Sequence, residues 1–559
     1  DYLARRLSVR DIIQHALRAV PCADCRSLTL LRDLTLADLE GSQPSPLTEE
    51  EISAIFLDNL KTATPWIIKE ANIRLLERSA RQDGGRLLHI ATHLTNLIKV
   101  SDRVTVRHTA GAALLNVAPL LTAGERNEVA VELTRGLEID QQEFSKYIPG
   151  YLGQFCLWLP PAQLDELLGE FQRSLCSSND QVVSGALDTI GVVCENYGGY
   201  RERFPEEDAV YRARRERLLG MLLKGLAGFR SEVRQEAMYV LGLRVFGSTR
   251  LERHEKRRAF RLTLKKILAL TGESSGDELT FYYRCALLGR MCRFLTEQEL
   301  LYGGFHFEEP RPIAFFPGTF DPFTLSHKGI VQAILDLGYE VMLAIDEFSW
   351  SKKTQPHRLR RHLAAISVAD EFHVHIFPEN FPVNIASPQS LTALREAFPG
   401  RTVAIVAGSD VVANASAYRQ APTPGSIHSF DHIIFHRAAA PEADCSIITG
   451  KVTQLHLPQH LEEISSTRIR DAIEEISVAS PTTYARYCGH PQGVIYGYET
   501  ADWDSLMPRM MMMKEDAALF PGLRFAGGYA MRSSGYSSSY VSGDLSGRQT
   551  VGDLKREVK

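Results

Sequence analysis

With 559 residues, 44% hydrophobic and 23% charged, the chain has room for two to four domains and the composition of a globular protein. Its 63 basic and 68 acidic residues leave a net charge of −5, which excludes bulk-charge attraction to nucleic acid or an anionic membrane. The most apolar stretch, Leu218–Phe229, is interrupted by Lys224, so no segment reads as a membrane span.

Nine irregularly spaced cysteines argue against a disulfide framework and for a reducing, cytoplasmic setting. Cys22 and Cys25 form a lone CxxC, a weak zinc or redox signal set against two cysteines near a helix end. No signal peptide is visible, and the start at Asp1 rather than Met leaves the true N-terminus open.

Residues 1–300 are helical in pattern, with apolar residues at three- and four-residue steps. Three segments carry an apolar–alanine–apolar ladder: Val106, Ala110, Leu114; Val182, Ala186, Ile190; and Val233, Ala237, Leu241. Each ladder lies on one helix face, and its small middle residue admits a neighbouring helix. The pattern resembles degenerate HEAT or armadillo repeats. Spacings of 76 and 51 residues between ladders are irregular, so an ordinary helical domain is the competing reading. The loop Gly41–Pro46 precedes an acidic helix start at Glu49, Glu50 and Glu51, as the helix dipole prefers. The basic run from Arg250 to Arg261 is either a site for a phosphate-rich ligand or RNA, or a solvated helix face interleaved with Glu252 and Glu255.

Residues 301–312 read as a linker, broken by Gly303, Gly304 and two prolines. From Ile313 strands and helices alternate. Strands are expected at 313–317, 340–346, 372–377, 402–407, 432–436 and 452–457, and helices at 325–337, 358–369, 388–398, 410–417 and 466–477. Such alternation implies a mainly parallel, Rossmann-like sheet with ligands at the carboxyl ends of its strands. Residues 481–559 include Met510–Met513 and a Gly/Ser/Tyr-rich stretch, and read as a tail or an incomplete further domain. The fold class expected is therefore multidomain: an all-α, solenoid-like half over 1–300, a linker at 301–312 and an α/β domain over 313–480.

The run IAFFPGTFDPFTLSH, Ile313 to His327, combines a strand, a tight glycine turn and a helix N-terminus, which is how a phosphate cradle is built. Gly318 to His327 resembles the nucleotidylyltransferase signature GxFDPxHxGH or GxFDPxTxGH. Ile464 to Arg470 resembles the same superfamily's ISSTxxR. The two motifs stand in the order and at the spacing the family shows. Thr324 stands where many relatives carry a first histidine and looks like the phosphopantetheine adenylyltransferase variant, while Ser326 replaces the motif glycine.

The resemblance implies that His327, Thr324 and Arg470 act on the triphosphate. It implies that Gly318, Thr319, Phe320, Ser465, Ser466 and Thr467 hold the nucleotide phosphates. Read from the residues alone, Ser465, Ser466 and Thr467 are helix caps. Gly408-Ser409-Asp410 resembles the GxD of nicotinate- and nicotinamide-nucleotide adenylyltransferases, where it meets the ribose; Asp410 as a helix cap is the alternative. Tyr418, Lys352 and Lys353 are candidate acceptor contacts. Mg²⁺ is expected with ATP, held by the triphosphate oxygens and without a dedicated metal cage.

The activity implied is transfer of AMP from ATP to a phosphorylated acceptor, most like nicotinate mononucleotide, with pyrophosphate released. The alternatives are another acceptor (phosphopantetheine, or a CTP-dependent reaction) or a nucleotide-binding helical scaffold with little turnover. A protein partner on the helical half is expected, but no membrane or nucleic acid.

Overall fold

The computed structural model describes residues 9–19, 26–40, 47–82, 86–138, 145–272, 277–305, 310–346, 354–436 and 445–462, with 464, 466, 469, 547, 548 and 551 beyond them. Cys22 and Cys25, the 41–46 loop, Lys352 and Lys353, Ser465, Thr467, Arg470 and nearly all of the 466–477 helix and the 481–559 segment lie outside the described residues. Two compact units divide the chain at Ile469 and Arg470; of the second, Gly547, Arg548 and Val551 are described, all helical.

Up to Tyr302 the described elements are helices. Their starts are chemically marked. Thr48 accepts from the Glu51 N–H while Glu51 accepts from the Thr48 N–H, and Thr122 and Glu125 repeat this capping box. Their apolar faces join one continuous core that runs from Leu34 to Phe294. The three alanine ladders face it: Val106, Ala110 and Leu114 are fully buried, as are Ala186, Ile190, Ala237 and Leu241, with Val182 half-buried. A Cβ at Gly225 would lie 3.3 Å from that of Ala237, so these two small residues let their helices approach closely. The last helix, Glu278–Tyr302, ends on Gly303 at φ 76°, a left-handed cap that glycine adopts without strain.

Beyond the helices lies a six-stranded, all-parallel sheet. Its strands are β1 (Ile313–Gly318), β2 (Glu340–Ile345), β3 (Val374–Ile376), β4 (Val403–Gly408), β5 (Asp431–Phe435) and β6 (Val452–Leu455). All six fall within two residues of the sequence reading; β1 and β4 are the clearest, as short apolar runs buried on both faces, whereas β6 (Val-Thr-Gln-Leu) is only partly buried. The spatial order is β3-β2-β1-β4-β5-β6, the doubly wound order in which the winding reverses between β1 and β4. Apolar cores cover both faces, one around Phe315, Ile405 and Tyr418 and the other around Phe316, Ile330 and Val406. The single helix expected over 410–417 is instead two short ones, Ser409–Asn414 and Ser416–Arg419, because Ala415 is extended and caps the first through Val411.

The helical region packs directly on this sheet. Buried Lys266 donates to the Val368 carbonyl across 2.7 Å, and Lys224 pairs with Asp370 at 2.8 Å. Glu340 at the start of β2 receives Lys265 of the helical region together with Arg401 and His375. Burial raises the Glu340 carboxyl pKa, but hydrogen bonds from His375, Lys265 and Arg401 outweigh it and hold the group well below the usual carboxylate range.

Candidate active site

In doubly wound sheets ligands settle outside the carboxyl ends of the strands where the winding reverses. Here that place lies between β1 and β4. Their pairing runs from Ile313 with Val403 to Phe315 with Ile405, short of the strand ends at Gly318 and Gly408. The two glycine turns therefore flank one crevice.

The β1 turn is built around Phe320, whose backbone sits at φ 45°, in the left-handed region that disfavours a side chain. Its ring folds back over Gly318, where a Cβ would meet the ring carbons at 3.1 Å, so glycine is needed there for close approach. Phe320 also packs against Phe316 and Phe323, with ring centroids 5.1 and 5.7 Å away. These contacts compensate the strained backbone.

The same three rings surround His327, at centroid distances of 6.5, 5.1 and 5.4 Å for Phe316, Phe320 and Phe323. Thr324 is the N-cap of the Leu325–Asp336 helix and His327 its third residue. The Thr324 backbone N–H donates to His327 Nδ1 at 3.0 Å, and the Thr324 hydroxyl lies 2.9 Å from the same nitrogen. A backbone N–H can only donate, so Nδ1 is an acceptor and the neutral ring carries its hydrogen on Nε2. The fold thus fixes both tautomer and direction of the imidazole. It gives Thr324 a task the motif alone did not reveal, holding His327.

A buried arginine braces the turn from behind. Arg360, 1% exposed, donates to the carbonyls of Thr319 at 2.6 Å, Asp346 at 2.8 Å and Gln355 at 2.9 Å. It thereby joins the β1 turn to the end of β2. The Asp321 carboxylate accepts the Gln355 N–H at 3.1 Å and completes the brace. Burial lowers the Arg360 pKa, opposed by Asp321 and Asp346, while burial raises that of Asp346. Sequence reasoning missed Arg360. The only signal was an arginine cluster, Arg358, Arg360 and Arg361, on a helix start that also had to cover the sheet.

The second motif meets the first at one described contact. The Ser466 hydroxyl donates to the Pro322 carbonyl across 2.9 Å. The Gln459–Glu462 helix, absent from the sequence reading, lies on the Leu325–Asp336 helix; a Cβ on Gly329 would come 2.9 Å from Leu461. At the end of β4, Asp410 folds back so that its carboxylate covers the Cα of Gly408, leaving no room for a side chain there. Ser409 between them is fully buried, and its hydroxyl has no hydrogen-bond partner among the described residues.

Tyr418 stands apart from these groups. It is 3% exposed, and its hydroxyl lies 3.0 Å from Nε2 of His432 in the core on one face of the sheet. Burial raises the pKa of its phenol. The structure thus brings Gly318, Thr319, Phe320, Thr324, His327 and Ser466 together, with Gly408 and Asp410 across the crevice.

No family model matches the chain, and no curated protein does. Among solved structures, Plasmodium falciparum nicotinic acid mononucleotide adenylyltransferase complexed with NaAD is 19% identical; the match spans 29% of this chain and 83% of that one, with a TM-score of 0.25. A designed armadillo repeat protein is 15% identical over 43% of this chain and all of that one, with a TM-score of 0.19. Neither likeness carries weight at these scores. Among the described residues no helix is long and apolar enough to cross a membrane.

Proposed function

We propose that the crevice between β1 and β4 binds ATP and transfers its AMP to a phosphorylated small molecule, with nicotinate or nicotinamide mononucleotide the favoured acceptor. The observation that carries this reading is the Ser466–Pro322 hydrogen bond, which joins the two separately recognised motifs at the doubly wound crevice. An acceptor phosphate oxygen attacks the α-phosphorus, the bond to the β-phosphate oxygen breaks, and pyrophosphate leaves. The nucleophile is already an anion, so the protein's task is to position it and to offset charge. His327 Nε2–H suits donation to the α-phosphate, with Thr324 holding the ring. Ser465, Ser466, Thr467 and Arg470 are assigned to the β- and γ-phosphates, Asp410 to the ribose, and Lys352 and Lys353 to the acceptor; Tyr418, buried with its hydroxyl on His432, is given no acceptor contact.

Mg²⁺ would arrive with the triphosphate and offset its charge. Among the described residues no group of three His, Cys, Asp or Glu side chains is placed to hold a metal, so no protein ligand is assigned. The helical half is read as a HEAT- or armadillo-like scaffold for a protein partner in the cytoplasm; the buried alanine ladders support that reading. The test is pyrophosphate release from ATP with nicotinate mononucleotide, nicotinamide mononucleotide and phosphopantetheine, and from CTP with glycerol phosphate. Release with the first two alone supports the proposal. ATP binding without release from any acceptor supports a nucleotide-binding scaffold instead.

A further inference from the structure

On the opposite edge of the sheet from the crevice, a cleft of about 1050 Å³ opens between the helical region and the strands. Arg311, just before β1, and Phe372 and His373, just before β3, form its sheet side. The six residues of β1 place this cleft roughly 20 Å from the phosphate turn. Its helical side comes from the end of the Asp180–Asn196 helix and the residues up to Glu202, the Asp208–Ala227 and Arg253–Gly272 helices, and the segment leading into the last. The basic run at 250–261 faces into it through Arg250, His254, Arg258 and Arg261.

Seven arginines and six carboxylates line the cleft, which as a bare sum is close to neutral. The pairing is uneven. Arg215 is held by Glu255 at 2.8 Å, Arg258 by Glu216 at 2.5 Å and Arg201 by Asp208 at 2.7 Å. Glu195 is engaged by Arg244 and the Ser248 hydroxyl, and Glu252 stands 3.0 Å from His254. Of the other four arginines, Arg261 lies over the Phe305 ring at 5.5 Å, and among the described residues Arg212, Arg250 and Arg311 meet no carboxylate; Arg250 donates to the neutral Asn196 amide at 3.2 Å. Three cations from three separate chain segments thus converge on one concavity, against one carboxylate without a partner of its own, Glu202.

We propose that this cleft binds a small molecule bearing two or more phosphate groups, through Arg212, Arg250 and Arg311. Guanidinium groups present planar pairs of donors that match phosphate oxygens, and three of them can address more than one phosphate. The volume matches a small-molecule site. An extended polyanion fits less well, because Glu202 and Glu252 stand among the arginines and the chain as a whole is acidic. The inference is independent of the transferase reading.

The test is titration calorimetry of the full chain with inorganic triphosphate. Arg212→Gln and Arg311→Gln should each weaken binding by about tenfold, and the pair by more, with unchanged melting temperature. His327→Ala should leave this binding step intact. Binding untouched by the arginine changes, or removed by His327→Ala alone, would place the triphosphate in the β1–β4 crevice and overturn the proposal. A short single-stranded RNA that binds tighter than triphosphate and depends on the same arginines would overturn it in favour of nucleic acid.

Discussion

The Ser466 hydroxyl donates to the Pro322 carbonyl across 2.9 Å, closing a loop of 144 residues on one hydrogen bond. It ties the segment after β6 to the turn after β1, and so brings Ser466 to the turn that leads into the Thr324-capped helix. Ser466→Ala should cost about 1 kcal/mol of stability. Its larger effect should be a several-fold rise in KM for ATP with kcat less affected, measured by initial rates of pyrophosphate release. An unchanged KM would mean that the contact only closes the fold.

Thr324 and His327 form a capping box in which a histidine stands where glutamate or glutamine is usual. Thr324→Val keeps the backbone N–H on Nδ1 but removes the hydroxyl. It should lose about 1 kcal/mol of stability as a cap and lower kcat more than it raises KM, because the ring loses one of its two holds. Thr324→Ser should restore both. Chemical denaturation and steady-state rates on the three proteins check this.

Arg360 satisfies three carbonyls from a fully buried position. Arg360→Ala leaves those acceptors without their donor and opens a cavity, so a loss of about 3 kcal/mol or more is expected. Arg360→Lys should recover only part of it, since one ammonium cannot span the three carbonyls. Urea denaturation of the full chain gives the energies. Hydrogen exchange should show faster opening at the ends of β1 and β2 first.

Two buried histidines make the fold less stable as the pH falls. Burial lowers His432, with Nδ1 on the Phe430 carbonyl and Nε2 near the Tyr418 hydroxyl, from 6.5 to about 4, and it lowers His93 in the helical region from 6.5 to about 4. Above pH 6.5 neither the folded nor the unfolded chain holds these protons. Between pH 6.5 and about 4 the unfolded chain takes them up and the folded chain does not, so stability falls with falling pH. The loss is roughly 3 kcal/mol for each ring by pH 4. His432→Gln should remove one of these contributions and flatten the decline; a melting series between pH 7 and 4.5 measures it.

The sheet was legible because its strands are short apolar runs, such as Ile313–Phe316 and Val403–Ala407, that cannot be mistaken for amphipathic helices between their turn signals. The turn after β1 was legible as a strand–turn–helix unit because Gly318 admits the Phe320 ring and His327 completes the helix capping box. What stayed hidden depended on tertiary neighbours. Nothing local marks Arg360 over Arg358 as the buried cation. Tyr418 offers an aromatic ring beside the site in sequence, yet His432, fourteen residues on, takes its hydroxyl into the core. Glu340 reads as an ordinary strand residue, although it gathers Lys265, His375 and Arg401 at the contact with the helices. The break at Ala415 was likewise unsignalled, since alanine favours helix.

The proposed function rests on His327, held by Thr324 through Nδ1, stabilising charge on the α-phosphate. It is tested most directly by pyrophosphate release from ATP and nicotinate mononucleotide, comparing the full chain with its His327→Ala variant at saturating substrates. The account predicts release by the wild type and a fall in kcat of about 100-fold or more in the variant, with ATP still bound. Release that survives the substitution undiminished would contradict it.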